Sequence, residues 1–561
     1  MSDGRVTGDT KRTLDVIDVE RPVEPEPARL RNVILLGPSG GGKSTLVHAL
    51  GGHRTGEGPT RSLVASSTRI DGVTVWLLDT PGDPDFGGWV TAGLRAADAA
   101  LFVLPAGRGI PPMTERQWKH CADAGLPRAV VFTRLDDPDA DFDDAVALAE
   151  RIFGEGVVPT HLPLYGGEPG LPEAPAGVID VLLGTLSDHS EGGRSDRPAD
   201  AEHLRLLTDV RNALIETVIA NSEDDDLVDR HVDGEDVDAA GLVAELDAAV
   251  RHGAVHPILA AVPTTGVGCA EIGRLLAHGF PSPLVGAPPA VKHGDGSPHA
   301  PLAADPAGPL VGEVIARVDP DLSLVRLYSG TLTEGRAVTA GGATATVTLP
   351  DHAATAVAGE LVAVAGLGHV PVGATIATAG ADLVLDPWAL PHASVRTTVG
   401  HLIATEPSGA DAINTVTGDD PAVRFEPLPG FAGVAMWTVG VRHSDDTLAK
   451  VTELARRAGW RELPFRVGGW DRPGDAAAND RRWQQLDVTL PEALTGVLLR
   501  HLSACHGQKL SARPGGDGTA LVTVEVPANW TDAYIAELRD LTDGTADVSR
   551  GTTRPTDEDR G

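Results

Sequence analysis

The chain is poor in cysteine, lysine and aromatic residues, and it has no long apolar run. Its three cysteines, Cys121, Cys269 and Cys505, stand far apart, which excludes a disulfide framework and the paired spacing of a zinc site and points to a reducing compartment. The His120–Cys121 and Cys505–His506 neighbours read as packing residues. No segment has the length of a membrane span, and the N-terminal stretch is polar and charged, without the apolar core of a signal peptide. The expectation is a cytoplasmic protein with no membrane attachment, with tails at 1–28 and 552–561. Against 46 basic residues, mostly arginine, stand 79 acidic ones, for a formal net charge of −33. That balance excludes a broad basic surface for DNA or anionic lipid and leaves room only for a local basic patch. Aromatics make up 4% beside 66 Gly and 43 Pro, so the cores must be built from Ala, Val and Leu between many turns. A chain of 561 residues carries several domains.

What is present begins with GPSGGGKS at Gly37–Ser44, between a strand-like run at Asn32–Leu36 and a helix-like run at Ser44–Leu50. In such a loop Gly37, Pro38, Ser39, Gly40, Gly41 and Gly42 let successive backbone N–H groups curl around phosphates. Lys43 reaches the β- and γ-phosphates, and the Ser44 hydroxyl is placed to ligate Mg²⁺. Thr45 continues into a helix whose positive end favours the anion. DTPG follows at Asp79–Gly82, closing the apolar run VTVWLL; Asp79 can hold the Mg²⁺ shell and the Gly82 N–H can reach the γ-phosphate. Alone, the first motif reads equally as a flexible turn and the second as a β-turn. Strand, loop, helix and second motif at this spacing together describe a GTPase core that uses GTP or GDP with Mg²⁺.

From 29 to 283 apolar strand-like runs (NVILL, VTVWLLD, AALFVLP, RAVVFTRLD, HPILAAV) alternate with helical patterns, the rhythm of a parallel sheet covered by helices. Acidic, Gly-rich stretches at Gly166–Gly177 and Ser187–Ala201 read as loops, and Ala201–Asn221 with Ala239–His252 as a helical insert. Residues 284–308 read as a linker. Short β-rich runs over 309–385 suggest a small barrel, 390–467 mixes strands and helices, 468–482 is a second linker, and 483–551 fits β-α-β-β-α-β. The fold class is therefore multidomain α/β and β: a P-loop GTPase domain, a β-barrel domain and two ferredoxin-like α+β domains.

With these segments in order, the sequence resembles the translational GTPases, and most closely elongation factor G. DTPGDPDF at Asp79 is similar to that family's DTPGHVDF, and LRAADAALFVLPAGRGIPPMTERQW continues its pattern. HLRLLTDVRNALIETVI resembles the family's helical insert, VRLYSGTLTEG and AGELVAVAGL its second domain, DDPAVRFEP part of its third, and the last unit its fifth. Between third and fifth the family has a fourth domain that reaches the decoding site, whereas here only the linker from Gly468 stands. The resemblance implies a monomeric partner of the ribosome at its factor-binding site, without ordinary translocation.

The same resemblance marks departures inside the site. Where the family has the histidine that helps place the attacking water, this chain has Asp83, an anion that repels the γ-phosphate, so slow hydrolysis is expected. The guanine motif NKxD appears as Thr133-Arg134-Leu135-Asp136: Asp136 keeps the carboxylate that accepts from guanine N1 and N2, and the Arg134 stem is placed to cover the base. The base-side SA motif falls at Val262-Pro263. In the first switch Thr60-Arg61-Ser62 aligns with T-I-T, making Ser62 a candidate Mg²⁺ ligand, although such residues in a polar loop are equally accounted for by solvation. Two functions follow: an elongation factor G-like GTPase at or near the ribosome, or a nucleotide-gated regulatory binding protein with negligible hydrolysis.

Overall fold

The computed structural model describes residues 26–52, 60–154, 156–165, 174–190, 193–222, 224–232, 238–286, 288–350, 354–428, 432–471, 482–504, 508–515, 518–527, 531, 534–535, 538–539, 542 and 545–555. They fall into two compact units, one running to Pro391 and taking in Gly418–Pro421, the other formed by His392–Thr417 and the residues from Ala422.

The first unit opens with a seven-stranded sheet. Its strands are β1 (Leu30–Leu36), β2 (Val64–Ile70), β3 (Val73–Asp79), β4 (Ala99–Pro105), β5 (Arg128–Thr133), β6 (Val157–Pro159) and the strand His256–Ala260. The order is β2-β3-β1-β4-β5, then His256–Ala260, then β6, and only β2 is antiparallel to its neighbour. Parallel strands need crossovers, and these are α1 (Lys43–Ala49), α2 (Gly87–Ala96), α3 (Pro112–Asp123) and α4 (Phe142–Phe153). Alternate residues of β1 and β4 serve the two faces: Ile34, Leu36, Phe102 and Leu104 join one core, Val33, Leu35, Leu101 and Val103 the other. The loops that follow β1, β3 and β5 emerge at one edge of the sheet, the place where such folds bind ligands.

Several boundaries differ from the sequence reading. The stretches read as loops contribute strands Pro175–Asp180 and Ser195–Pro198 to a four-stranded antiparallel sheet with His161–Tyr165 and Thr185–Asp188. Ser195–Pro198 is exposed throughout, so no apolar alternation marked it. The insert adds a helix, Asp225–Val232, between those expected. The stretch read as a linker over 284–308 is not all linker: Val291–His293 pairs antiparallel with Leu383–Leu385.

The barrel follows as a six-stranded antiparallel sheet in the spatial order Ala343–Thr346, Ala337–Ala340, Thr375–Thr378, Val311–Asp319, Leu322–Ser329, Leu361–Ala365, with Thr331–Thr333 paired to Thr355–Val357. It is fastened to the sheet domain by buried polar pairs. Arg326 donates to Asp98 at 2.7 Å, Asn32 donates to Asp98 at 2.6 Å and to the Gly359 carbonyl at 3.0 Å, and Arg95 at the end of α2 donates to Glu313 at 2.8 Å.

In the second unit, Val395–Gly400, the helix Pro407–Asp419, Arg424–Pro427, Gly433–Thr438, the helix Val441–Arg457 and Phe465–Asp471 give a sheet whose strands lie in the order second, third, first, fourth. Arg482–Pro491, Gln508–Pro514, Thr519–Pro527 and Asp547–Pro555 repeat that order. The linker expected over 468–482 is shorter, because Phe465–Asp471 runs into it and the next strand begins at Arg482; 472–481 lie outside the described residues. The last strand continues past Gly551 to Pro555, beyond the start expected for the C-terminal tail. Residues 1–25 of the expected N-terminal tail also lie outside the described residues.

Candidate nucleotide site

The loop between β1 and α1 is built on glycine. Gly37, Gly40 and Gly42 have φ of 130°, 77° and 94°, a region that L side chains rarely adopt, and a Cβ on Gly37 would lie 2.3 Å from the Val103 carbonyl oxygen. Ser39 and Gly40 are exposed at the crest, Gly41 is buried, and Thr45 sits in the first turn of α1. Gly42 caps that helix without a side chain, so the first-turn N–H groups have no capping side-chain acceptor.

Lys43 is folded back over the loop, where its Nζ donates to the Gly37 carbonyl at 2.7 Å and the Pro38 carbonyl at 3.1 Å. With 6% exposure it is nearly withdrawn from water, and burial pushes its ammonium down to about 8, the Asp79 charge only partly opposing. Asp79, at 4% exposure, ends β3 beside it, and burial raises its carboxyl against the pull of Ser44, Lys43 and Thr60. Ser44 Oγ donates to Asp79 Oδ2 at 2.5 Å, and Thr60 Oγ1 lies 3.1 Å from Ser44 Oγ and 3.3 Å from Asp79 Oδ2.

Of the first-switch residues, then, the structure brings Thr60 rather than Ser62 to the pair; Ser62 is exposed two residues further on. The sequence carried a signal for it, since the aligned T-I-T begins as well as ends in a hydroxyl. Asp79 Oδ1 is buried with no hydrogen-bond partner. One orphaned carboxylate oxygen beside two hydroxyls is an all-oxygen donor set of the kind that suits Mg²⁺. Elsewhere among the described residues no three or more His, Cys, Asp or Glu side chains cluster as metal ligands.

Gly82 packs directly on the loop: a Cβ there would fall 2.3 Å from Ser39 N and 2.7 Å from Lys43 Nζ, so only glycine permits the approach. Asp83 follows as the cap of the short turn Pro84–Phe86, its Oδ1 accepting from the Asp85 N–H at 3.1 Å. Its carboxylate thus serves the turn that leads into α2.

Where the guanine motif is expected, Thr133 is buried at the end of β5 and its hydroxyl donates to the Gly41 carbonyl at 2.6 Å, tying the two loops together. Arg134, with φ of 53°, donates through Nε to the Gly40 carbonyl at 2.8 Å, a contact the motif did not foretell. Asp136 is exposed in the turn after Leu135. Val262 and Pro263 emerge from the neighbouring strand, where Ala261 N–H bonds the Phe132 carbonyl and Val262 bridges Val267.

A glycine loop, a buried lysine, a serine–aspartate pair and a base-side turn, all at one sheet edge, define a P-loop nucleotide-binding domain. Residues 53–276 match the family described as the Elongation factor Tu GTP binding domain. The chain is 35% identical over 487 residues to an Elongation factor G-like protein of Mycobacterium tuberculosis (strain H37Rv), covering 76% of this chain and 66% of that protein. It is 29% identical over 466 residues to Elongation factor G 2 of Streptomyces coelicolor, covering 79% of this chain and 63% of that one. It therefore spans just under two thirds of the length of these relatives. A crystal structure of a protein from Thermus thermophilus shares the fold, with a TM-score of 0.69 at 21% identity over 95% of this chain and 98% of that one. The chain belongs to the translational GTPase family, in its elongation factor G-like branch.

Proposed function

We propose that this protein binds GTP and GDP with Mg²⁺ and hydrolyses GTP slowly, acting at or near the ribosome without ordinary translocation. The observation that carries this reading is the contrast within one loop edge. Lys43, Ser44, Asp79 and Gly82 converge at one sheet edge, which supports phosphate and metal binding there, while Asp83, in the place of the family's histidine, caps its own turn. A bound Mg²⁺ would supply neutralisation of the nucleotide's phosphate charge. Ser44 and Asp79 would hold it, with Thr60 closing the set. Asp136 would read guanine, and Thr133 would fix the distance between base loop and phosphate loop. Nothing in this set replaces a donor aimed at an attacking water, which supports slow turnover. Among the described residues no helix is long and apolar enough to cross a membrane; separately, we envisage a cytoplasmic, monomeric partner of the ribosome.

The second reading, a nucleotide-gated regulator with negligible hydrolysis, is favoured by the same Asp83 contact. Single-turnover GTP hydrolysis with and without ribosomes, beside direct GTP and GDP affinities, separates them. Stimulation by ribosomes supports the GTPase; tight binding without stimulation supports the regulator; absence of binding to either nucleotide at millimolar concentration removes both.

A further inference from the structure

Beyond the nucleotide site, the first unit holds a cavity of about 570 Å³ at the junction of the sheet domain and the barrel. That volume falls within the range that encloses a small molecule, roughly 300–1,000 Å³. Its walls are apolar: Leu94 of α2, Leu126, Tyr328 of the barrel, Trp388 and a run of prolines beginning at Pro281.

The charged side chains that line it are mainly arginine, with two imidazoles beside them. Arg95, Arg251, Arg326, His120 and His252 face a single acidic residue, Asp98. This is the reverse of the whole chain, in which acids outnumber bases 79 to 46. Asp98 is already taken, accepting from Arg326 at 2.7 Å and Asn32 at 2.6 Å, and Arg95 is held by Glu313. Arg251 has no ion-pair partner among the described residues; its one hydrogen bond runs to the His278 carbonyl at 3.1 Å. Its charge bears on Arg31, whose guanidinium is pushed down to about 10 by burial and, next, by Arg251. Arg326 Nε is buried with no hydrogen-bond partner. Positive charge is thus in excess around an apolar chamber.

We propose that this cleft binds an amphipathic anion, an aromatic or aliphatic body bearing a carboxylate, sulfonate or phosphate, with the body between Tyr328, Trp388 and the prolines and the anion toward Arg251 and His252. The inference does not depend on nucleotide binding, and its test runs without added nucleotide.

The full chain is titrated with 1-anilinonaphthalene-8-sulfonate at low salt and followed by fluorescence. The expected result is one saturable site, weakened at least about tenfold by Arg251→Glu because a reversed charge repels the sulfonate, and weakened also by His252→Glu on the exposed rim, with circular dichroism and the melting midpoint of each variant unchanged. Arg251→Lys retains binding, and excess GDP does not displace the probe. Absence of saturable binding, an affinity indifferent to both glutamate variants, or displacement by GDP overturns the proposal.

Discussion

Lys43 gives the nucleotide site a pH dependence that can be worked out in advance. In the free protein its ammonium loses a proton near pH 8, against the ordinary 10.5, because burial penalises the charge more than Asp79 restores it. A bound phosphate favours the charged form, so nucleotide binding raises this group's affinity for its proton. Affinity is therefore full below the free value and falls as pH rises through it. At pH 7.5 about three quarters of the free protein carries the charged lysine and at pH 9 about one tenth, so affinity for GDP should fall about eightfold, close to 1.2 kcal/mol. The window from pH 7.5 to 9 avoids the last phosphate ionisation. The assay is fluorescent-nucleotide titration across it, with Lys43→Arg as the control, since a guanidinium stays charged throughout. A decline that persists in Lys43→Arg belongs to the nucleotide; a wild-type affinity flat across the window refutes the buried-lysine argument. In the unliganded protein the sign reverses: with the folded value below the unfolded one, this group's contribution to stability rises with pH between about 8 and 10.5.

Four further outcomes are expected. Asp83→His should raise single-turnover GTP hydrolysis in the presence of ribosomes while costing about 1 kcal/mol through the lost cap, seen as a small drop in melting midpoint; no gain in rate means that the deficit lies elsewhere in the switches. Thr60→Ala should raise several-fold the Mg²⁺ concentration needed to retain nucleotide, whereas Ser62→Ala should leave it unchanged, and the opposite ranking restores Ser62 as the ligand. Asp98→Ala leaves the buried Arg326 without its carboxylate, a loss of about 3–5 kcal/mol, measurable in urea as a lower midpoint for the first unit. His256 is pushed down to about 4 by burial and the Arg128 guanidinium, so the unfolded chain takes up this proton first and stability falls as pH drops from about 6.5 towards 4. Between pH 7 and 5 that term amounts to about 2 kcal/mol, and His256→Phe should lose that part of the slope.

The nucleotide site was legible wherever chemistry fixes spacing along the chain. Gly37–Ser44 and Asp79–Gly82 are contiguous motifs, each following an apolar strand-like run, and each lies at the sheet edge. What escaped was tertiary. Thr60 and Ser62 are two residues apart with interchangeable hydroxyls, and only the path of the chain decides which one meets Asp79. The Arg134–Gly40 contact links residues 94 positions apart through a left-handed backbone at Arg134, for which one sequence carries no signal. Strands such as Ser195–Pro198 and Val291–His293 are short and largely exposed, and their pairing comes from neighbours rather than from their own pattern.

The junction with the barrel escaped for the same reason, and it bears most on how the site could be read by the rest of the protein. Asp83 caps the turn that leads without interruption into α2. At the far end of α2, Arg95 donates to Glu313, and its carbonyl accepts from the Tyr328 hydroxyl at 2.9 Å. These partners are buried, and a buried ion pair tolerates little misalignment before its desolvation cost is uncompensated. A shift of the Asp79–Gly82 loop off Ser39 must therefore either bend α2 or carry the Glu313 contact with it. Gly87 and Gly88 at its start and Gly93 within it are the places where the helix can bend. The Arg95–Glu313 pair is thus the contact through which a movement of α2 as a rigid rod would reach the barrel.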